Sequence, residues 1–215
     1  DTVTTQSRTR GGHGWMGVRF QDVPGSETSD IVIHFAMSDP ETVRQQEAAG
    51  ILGVNLIHAA LYSHPNPRAV LNCLMDGLSR RRIEVDMIKF SGPVFRGVDN
   101  RLMSLHLVEH ALTDAALFTA SGEVVQPSEV LYGRGVLLER GSFRPVTNVT
   151  IDMLSRAEQQ QEQDHPESAD EPVVLMEMTL HNLMSEKTID MSEKTIDPRI
   201  FWNARICWVR WGRPS

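Results

Sequence analysis

Apolar and polar positions divide the chain into short alternating runs, separated by glycine- and proline-rich turns. Residues 15–21 alternate and read as a strand, and 22–30 as a turn-rich loop. The β-branched run 30–37 reads as a strand covered on both faces. Ser38-Asp39-Pro40-Glu41 has the form of a capping box with proline in the first turn, predicting a helix to Gly50. The apolar stretch 51–62 predicts a further buried helix, with a strand as the alternative for its first half. Residues 68–80 carry Val70, Leu71, Leu74 and Leu78 at helical spacing. Residues 83–92 read as strictly alternating, through Ile83, Val85, Met87 and then Ile88, and predict a strand ending in a Ser-Gly-Pro turn. On this parity Asp86 and Lys89 fall on opposite faces.

The same reading continues downstream. Asp99 or Asn100 caps a helix striped by Leu102, Leu105, Val108 and Leu112. Residues 114–120 form a strand, 122–135 hold a short helix or turn, and the strand at 136–140 runs through a glycine turn into a helix at about 149–161. Residues 159–172, rich in Gln, Glu and Asp, read as an acidic solvated loop, and 173–180 as another strand. Alternating strands and helices give an α/β class with parallel strands. The expected organisation is a disordered lead-in at 1–14, an N-terminal α/β domain at 15–135, a second domain at 136–203 and an aberrant tail at 204–215. The tail follows two copies of MSEKTID, loses amphipathic order and reads as the product of a shifted frame.

Composition narrows the partners. A net charge of −7 over 215 residues argues against nucleic-acid binding. The longest apolar run, 51–62, is too short to span a bilayer and contains Asn55 and His58, so no membrane partner is expected. Two cysteines, Cys73 and Cys207, suit a reducing, cytoplasmic setting. Cys73 is expected in a core, and His34 and His58 as buried, hydrogen-bonded residues.

The segment richest in chemistry is 137–157, LLERGSFRPVTNVTIDMLSRA. A strand, a glycine turn and a helix start present backbone N–H groups and a positive dipole end to an anion. Gly141, Ser142, Phe143, Pro145, Val146, Thr147 and Asn148 follow in order the signature G-[ST]-F-D-P-x-[HT]-x-G-H. The segment therefore resembles the nucleotidyltransferase α/β-phosphodiesterase superfamily, phosphopantetheine adenylyltransferases in particular, and nicotinate- and nicotinamide-mononucleotide adenylyltransferases in its core. The segments EVDMIKFSGP and VDNRLMSLHLVEHALTDAALFTA also resemble a larger bacterial family carrying a nicotinate-nucleotide adenylyltransferase label.

This resemblance implies the start of a Rossmann-like nucleotidyltransferase domain from about Val136, within a longer bacterial chain. It implies transfer of AMP from ATP to a mononucleotide, nicotinate mononucleotide first and phosphopantetheine second, with Mg²⁺ assisting. Gly141, Ser142 and Phe143 would cradle phosphate, joined by Ser91, Gly92 and Asn100 at the end of the 83–92 strand. Thr147 stands at the first His or Thr of the H/T-x-G-H tetrapeptide. Arg144 replaces the family's Asp, Val149 its Gly and Thr150 its final His, so Thr147, Thr150 and Arg144 are the candidate catalytic positions. Loss of that His makes a catalytically inactive nucleotide-binding or regulatory protein the alternative.

A third reading rests on His106-x-x-Glu109-His110, the inverted zinc-peptidase spacing, with Glu186 as the third ligand at a matching distance. The flanks lack the glycine and aromatic residues usual there, so a polar helix edge without zinc is favoured. The basic run Arg80-Arg81-Arg82 sits at a helix end, where cations are favourable in any case.

Overall fold

The computed structural model describes residues 2–3, 11–119, 121–143, 147–164, 172–180 and 206–210. The chain falls into two compact units, Asp1–Asp114 and Ala115–Ser215, so the division comes between Asp114 and Ala115. Helices and strands mix throughout, as the α/β class requires, but the two units differ in strand direction.

The first unit is a four-stranded sheet in the order β1-β2-β3-β4, formed by β1 (Thr2–Val3), β2 (His13–Phe20), β3 (Ser29–Met37) and β4 (Ile83–Ser91). All its ladders are antiparallel, against the expectation of parallel strands. The turn-rich 21–28 loop is short enough to be a hairpin connection, which an antiparallel pair needs and a parallel pair cannot use. The lead-in is also part of the fold where it is described. Thr2 and Val3 pair with Gly14 and His13, and Met37 N–H donates to Gly12 O at 2.6 Å.

Among the described residues three α-helices and the 3-10 turn Pro93–Phe95 accompany this sheet. α1 (Thr42–Tyr62) runs unbroken through Gly50, fusing the two segments that the sequence separates. Its N-cap is Glu41 without a side-chain cap bond, so the Ser38–Glu41 box is not used. α2 is Pro67–Leu74 and α3 is Asn100–Glu109, capped by Asp99, whose carboxylate accepts from Arg101 N–H at 2.9 Å. α1 packs on β2 and β3, and α3 on β4. The core is filled by Ile31, Ile33, Phe35 and Met37 of β3, Ile83, Val85, Ile88 and Phe90 of β4, and Leu52 and Leu56 of α1. His58 is on the exposed side of α1, its ring tilted against that of Tyr62 with centroids 4.9 Å apart, contrary to the burial expected for it. Cys73 is half-buried with Sγ 3.4 Å from Ser63 Oγ.

α3 ends in a Schellman-type turn, with Leu112 N–H donating to Leu107 O and Ala111 N–H to Val108 O. Ala111 holds φ 55° there, the left-handed region that favours glycine. Because Ala111 is exposed, Ala111→Gly is expected to raise stability by about 0.5–1 kcal/mol, read as a higher urea midpoint.

The second unit is a mixed sheet in the order β6-β5-β9-β8-β7. It comprises β5 (Ala115–Thr119), β6 (Val124–Val125), β7 (Val136–Arg140), β8 (Val173–Thr179) and β9 (Ile206–Arg210). β7, β8 and β9 are parallel, while β5 and β6 run antiparallel to their neighbours. Helix α4 (Pro127–Leu131) brings Val130 and Leu131 onto Leu117, Val173 and Leu175. Helix α5 (Asn148–Asp164) links β7 to β8, giving one parallel β–α–β unit.

One further expectation changes here. Residues 159–164 belong to α5, leaving only 165–171 of the acidic stretch outside the described residues. Within the segment read as a tail, residues 206–210 form β9, which pairs with both β5 and β8 in the middle of the sheet. Trp208 is therefore part of the fold, while Trp202 and Trp211 lie outside the described residues. A β-branched and aromatic run of five residues suits a strand with neighbours on both sides.

Candidate functional site

The connection from β7 to α5 carries most of the expected site residues. β7 ends at Arg140, and its guanidinium bonds both carboxylate oxygens of Glu177 at 2.9–3.1 Å. Glu177 is 2% exposed, and the side chain of Arg140 is 61% exposed, so the buried carboxylate is met by a cation reaching in from solvent. Gly141 N–H donates to Glu177 O at 3.1 Å, continuing the ladder one residue past the strand. Phe143 then adopts φ 51°, and its ring lies over Gly141, where a Cβ would stand 3.1 Å from it. A bulky residue in the left-handed region costs roughly 1–2 kcal/mol.

Thr147 opens α5. Its Oγ1 accepts from Thr150 N–H at 3.3 Å in N-cap fashion, and the Thr147 and Thr150 hydroxyl oxygens are 3.2 Å apart. The two candidate catalytic hydroxyls are thus adjacent, and Ser142 is exposed on the same connection. Arg144 lies outside the described residues.

β7 and α5 line a half-open pocket of about 120 Å³ formed by Leu137, Leu138, Glu139, Met153, Leu154 and Ala157. Glu139 Oε2 is shielded there without a hydrogen-bond partner. Burial raises the Glu139 carboxyl above the usual range. A raised folded-state value means stability is greatest below the unfolded value and falls as pH rises through the folded one. Glu139→Leu is expected to stabilise the second unit at pH 7 by about 1 kcal/mol and to flatten its stability profile from pH 4 to 7. Denaturant titrations across that range measure both.

The second group of expected residues is engaged by the first unit itself. Ser91 is exposed opposite Asp30 in the β3–β4 ladder. Gly92 holds φ 96° and ψ 176°, with Ser29 and Thr28 packed against its Cα. Asn100 Oδ1 accepts from Phe90 N–H at 2.7 Å, while its Nδ2 donates to Phe90 O at 3.0 Å. These contacts account for Gly92 and Asn100 without a ligand. Two arginines of the basic run are likewise paired: Arg80 with Asp114 and Glu84, and Arg82 with Asp39 and Glu47.

His106, Glu109 and His110 place one ligand atom each within 4.8 Å of one another. The motif's geometry differs from a peptidase site. His106 is 1% exposed and its Nδ1 lies 2.7 Å from Glu109 Oε2, so the carboxylate is tied to a histidine rather than to a water site. Desolvation holds the His106 imidazolium below the ordinary range, and Nε2 is buried without a partner. A neutral ring donating through Nδ1 to Glu109 meets both facts. Glu186 lies outside the described residues.

One cluster has no counterpart among the expected site residues, although His34 in it is buried and hydrogen-bonded as expected. His34 Nδ1 is 2.6 Å from Asp86 Oδ1, His34 Nε2 is 3.3 Å from His13 Nδ1, and the Trp15 ring meets His34 edge-on at 4.9 Å. The register explains it. His34 pairs with Met87 but Phe35 with Val85, so Asp86 is an extra residue in a β-bulge. The bulge brings Asp86 to the face shared by His34 and Lys89, correcting the parity argument that separated Asp86 from Lys89. The sequence signal was the junction Met87-Ile88, where alternation skips a beat.

Among the described residues no helix is long and apolar enough to cross a membrane. Comparison with family models, with curated proteins and with solved structures returned no match.

Proposed function

We propose that the β7–α5 connection binds the phosphates of a nucleotide, and that the chain contributes to adenylyl transfer from ATP to a mononucleotide, nicotinate mononucleotide first. In that reaction an oxygen of the acceptor phosphate attacks the α-phosphorus of ATP and pyrophosphate leaves. Mg²⁺ would neutralise the developing charge on the phosphates. The observation that carries this reading is the turn Gly141-Ser142-Phe143, held with Phe143 at φ 51° at the carboxyl end of β7 in a parallel β–α–β unit. Ligands of parallel sheets bind at that end of the strands, and strained backbone gathers at ligand clamps. The exposed Ser142 and Thr147 hydroxyls and the first N–H groups of α5 supply donors for phosphate oxygen.

A second reading, nucleotide binding without turnover, is favoured by Thr150. Its hydroxyl is shared with Thr147, and it carries no positive charge where the family pattern has histidine. Calorimetry with ATP and Mg²⁺, followed by pyrophosphate release with nicotinate mononucleotide, tests both. Binding with release supports transfer, binding alone supports the regulatory reading, and absence of ATP binding removes both. If the histidine is the missing charge, Thr150→His raises turnover by on the order of 10²-fold.

A further inference from the structure

We propose that His13 and His34 form a binding site for a divalent transition-metal ion of the zinc, nickel and copper class, with Asp86 as the group that orients it. The site lies wholly in the first unit and is independent of the nucleotide reading.

β2 and β3 pair so that His13, Trp15, Gly17 and Arg19 stand opposite Ala36, His34, Val32 and Asp30 on one face of the sheet. The bulge in β4 adds Asp86 to that face. His34 is 2% exposed and is held by Asp86 on one side and by the edge of Trp15 on another. A carboxylate accepts and does not donate, so the close Asp86 contact assigns the His34 proton to Nδ1. In neutral His34 the lone pair then lies on Nε2, directed toward His13.

The separation of the two facing nitrogens is the metric argument. His34 Nε2 and His13 Nδ1 are 3.3 Å apart, and the ring centroids 5.4 Å. Two imidazole nitrogens bound to one tetrahedral ion at 2.0–2.1 Å stand about 3.3–3.4 Å apart, with ring centres about 5 Å apart. The far nitrogen of His34 already has the carboxylate partner that metal-bound histidines characteristically use, which fixes the tautomer and the ring orientation. Imidazole nitrogen suits zinc, nickel and copper, and disfavours magnesium and calcium.

Among the described residues no third His, Cys, Asp or Glu atom joins this pair within 4.8 Å. Water or a small oxygen- or nitrogen-donor ligand would fill the remaining positions on the ion. His13 is exposed, which leaves a route for ion and ligand from solvent, and Lys89 on the same face favours an anion.

The test uses the whole chain after treatment with a chelator. Zn²⁺ is titrated by calorimetry, and Co²⁺ is followed through its visible d–d bands. The wild type is expected to bind one ion with the spectrum of nitrogen and oxygen ligands. His13→Ala, at an exposed strand position, should weaken binding at least about 100-fold with an unchanged far-UV circular dichroism spectrum. Asp86→Asn should weaken it by about 10–100-fold. His110→Ala should leave this binding unchanged.

Four results would each overturn the assignment: no binding, binding insensitive to His13→Ala, binding lost with His110→Ala, or a thiolate charge-transfer band. The first leaves a hydrogen-bonded histidine pair, the third assigns the ion to the α3 cluster, and the fourth to cysteine.

Discussion

Replacing Gly92 with alanine is expected to cost the first unit about 3–5 kcal/mol, lowering its thermal midpoint by more than about 10 °C. Two effects add. The backbone at φ 96°, ψ 176° lies in a region essentially reserved for glycine. An added Cβ would also stand 2.6 Å from Ser29 Cα, 2.7 Å from Ser29 Oγ and 2.7 Å from Thr28 O. Two of those three atoms are backbone, so the collision is relieved only by moving the start of β3 away from the end of β4. Ser29 Oγ is occupied as well, accepting from Val94 N–H at 3.1 Å, so any shift also disturbs the 3-10 turn Pro93–Phe95. Gly97→Ala is the matched control, because nothing lies within 4 Å of its added Cβ, and it should stay within about 0.5 kcal/mol of wild type.

Asn100→Ala is expected to cost about 2–4 kcal/mol, measured by denaturant unfolding. The Asn100 amide bonds both backbone groups of Phe90, in the manner of an additional strand residue at the end of β4. Truncation leaves a part-buried N–H and a C=O without those partners, at roughly 1–3 kcal/mol for each unsatisfied group. Asn100→Asp keeps the acceptor but sets a carboxylate oxygen against Phe90 O, so it should not rescue the alanine variant. This separates the amide's structural work from side-chain volume, since Asp and Asn are nearly the same size.

Both predictions bear on how far the sequence discloses the site. Ser91-Gly92 and Asn100 are conspicuous because strand-end loops are where α/β sheets bind ligands. The same residue types are demanded by a tight turn and a backbone bridge, and composition does not separate the two causes. The elements were largely legible where alternation or helical spacing was clean, as in β3, β4 and α3. Three features were not. α1 reads as two segments because Gly50 looks like a stop, yet in a 21-residue helix a single glycine costs only about 1 kcal/mol. Strand direction in the first unit is a tertiary property that hydrophobic spacing does not encode. The His13–His34–Asp86 cluster depends on cross-strand register, and residues 21 and 52 positions apart in sequence meet only through it. The bulge did leave a trace at Met87-Ile88, but its chemical consequence needed the partner strand.

The position of β9 has a consequence for how the second unit is assembled. Ile206–Arg210 is the last described strand in chain order, yet it lies between β5 and β8, with β5 some ninety residues earlier. During synthesis β5 with β6 and β7 with β8 can each form early, because their partners are near in sequence. They remain two separate ribbons until residues 206–210 emerge and join them. Closing that long loop is expected to be the slow event in forming this sheet, given the dependence of folding rate on the sequence separation of contacts. Until then the inward edges of β5 and β8 present unpaired N–H and C=O groups, which makes the nascent chain most vulnerable to association and proteolysis just before this strand is made.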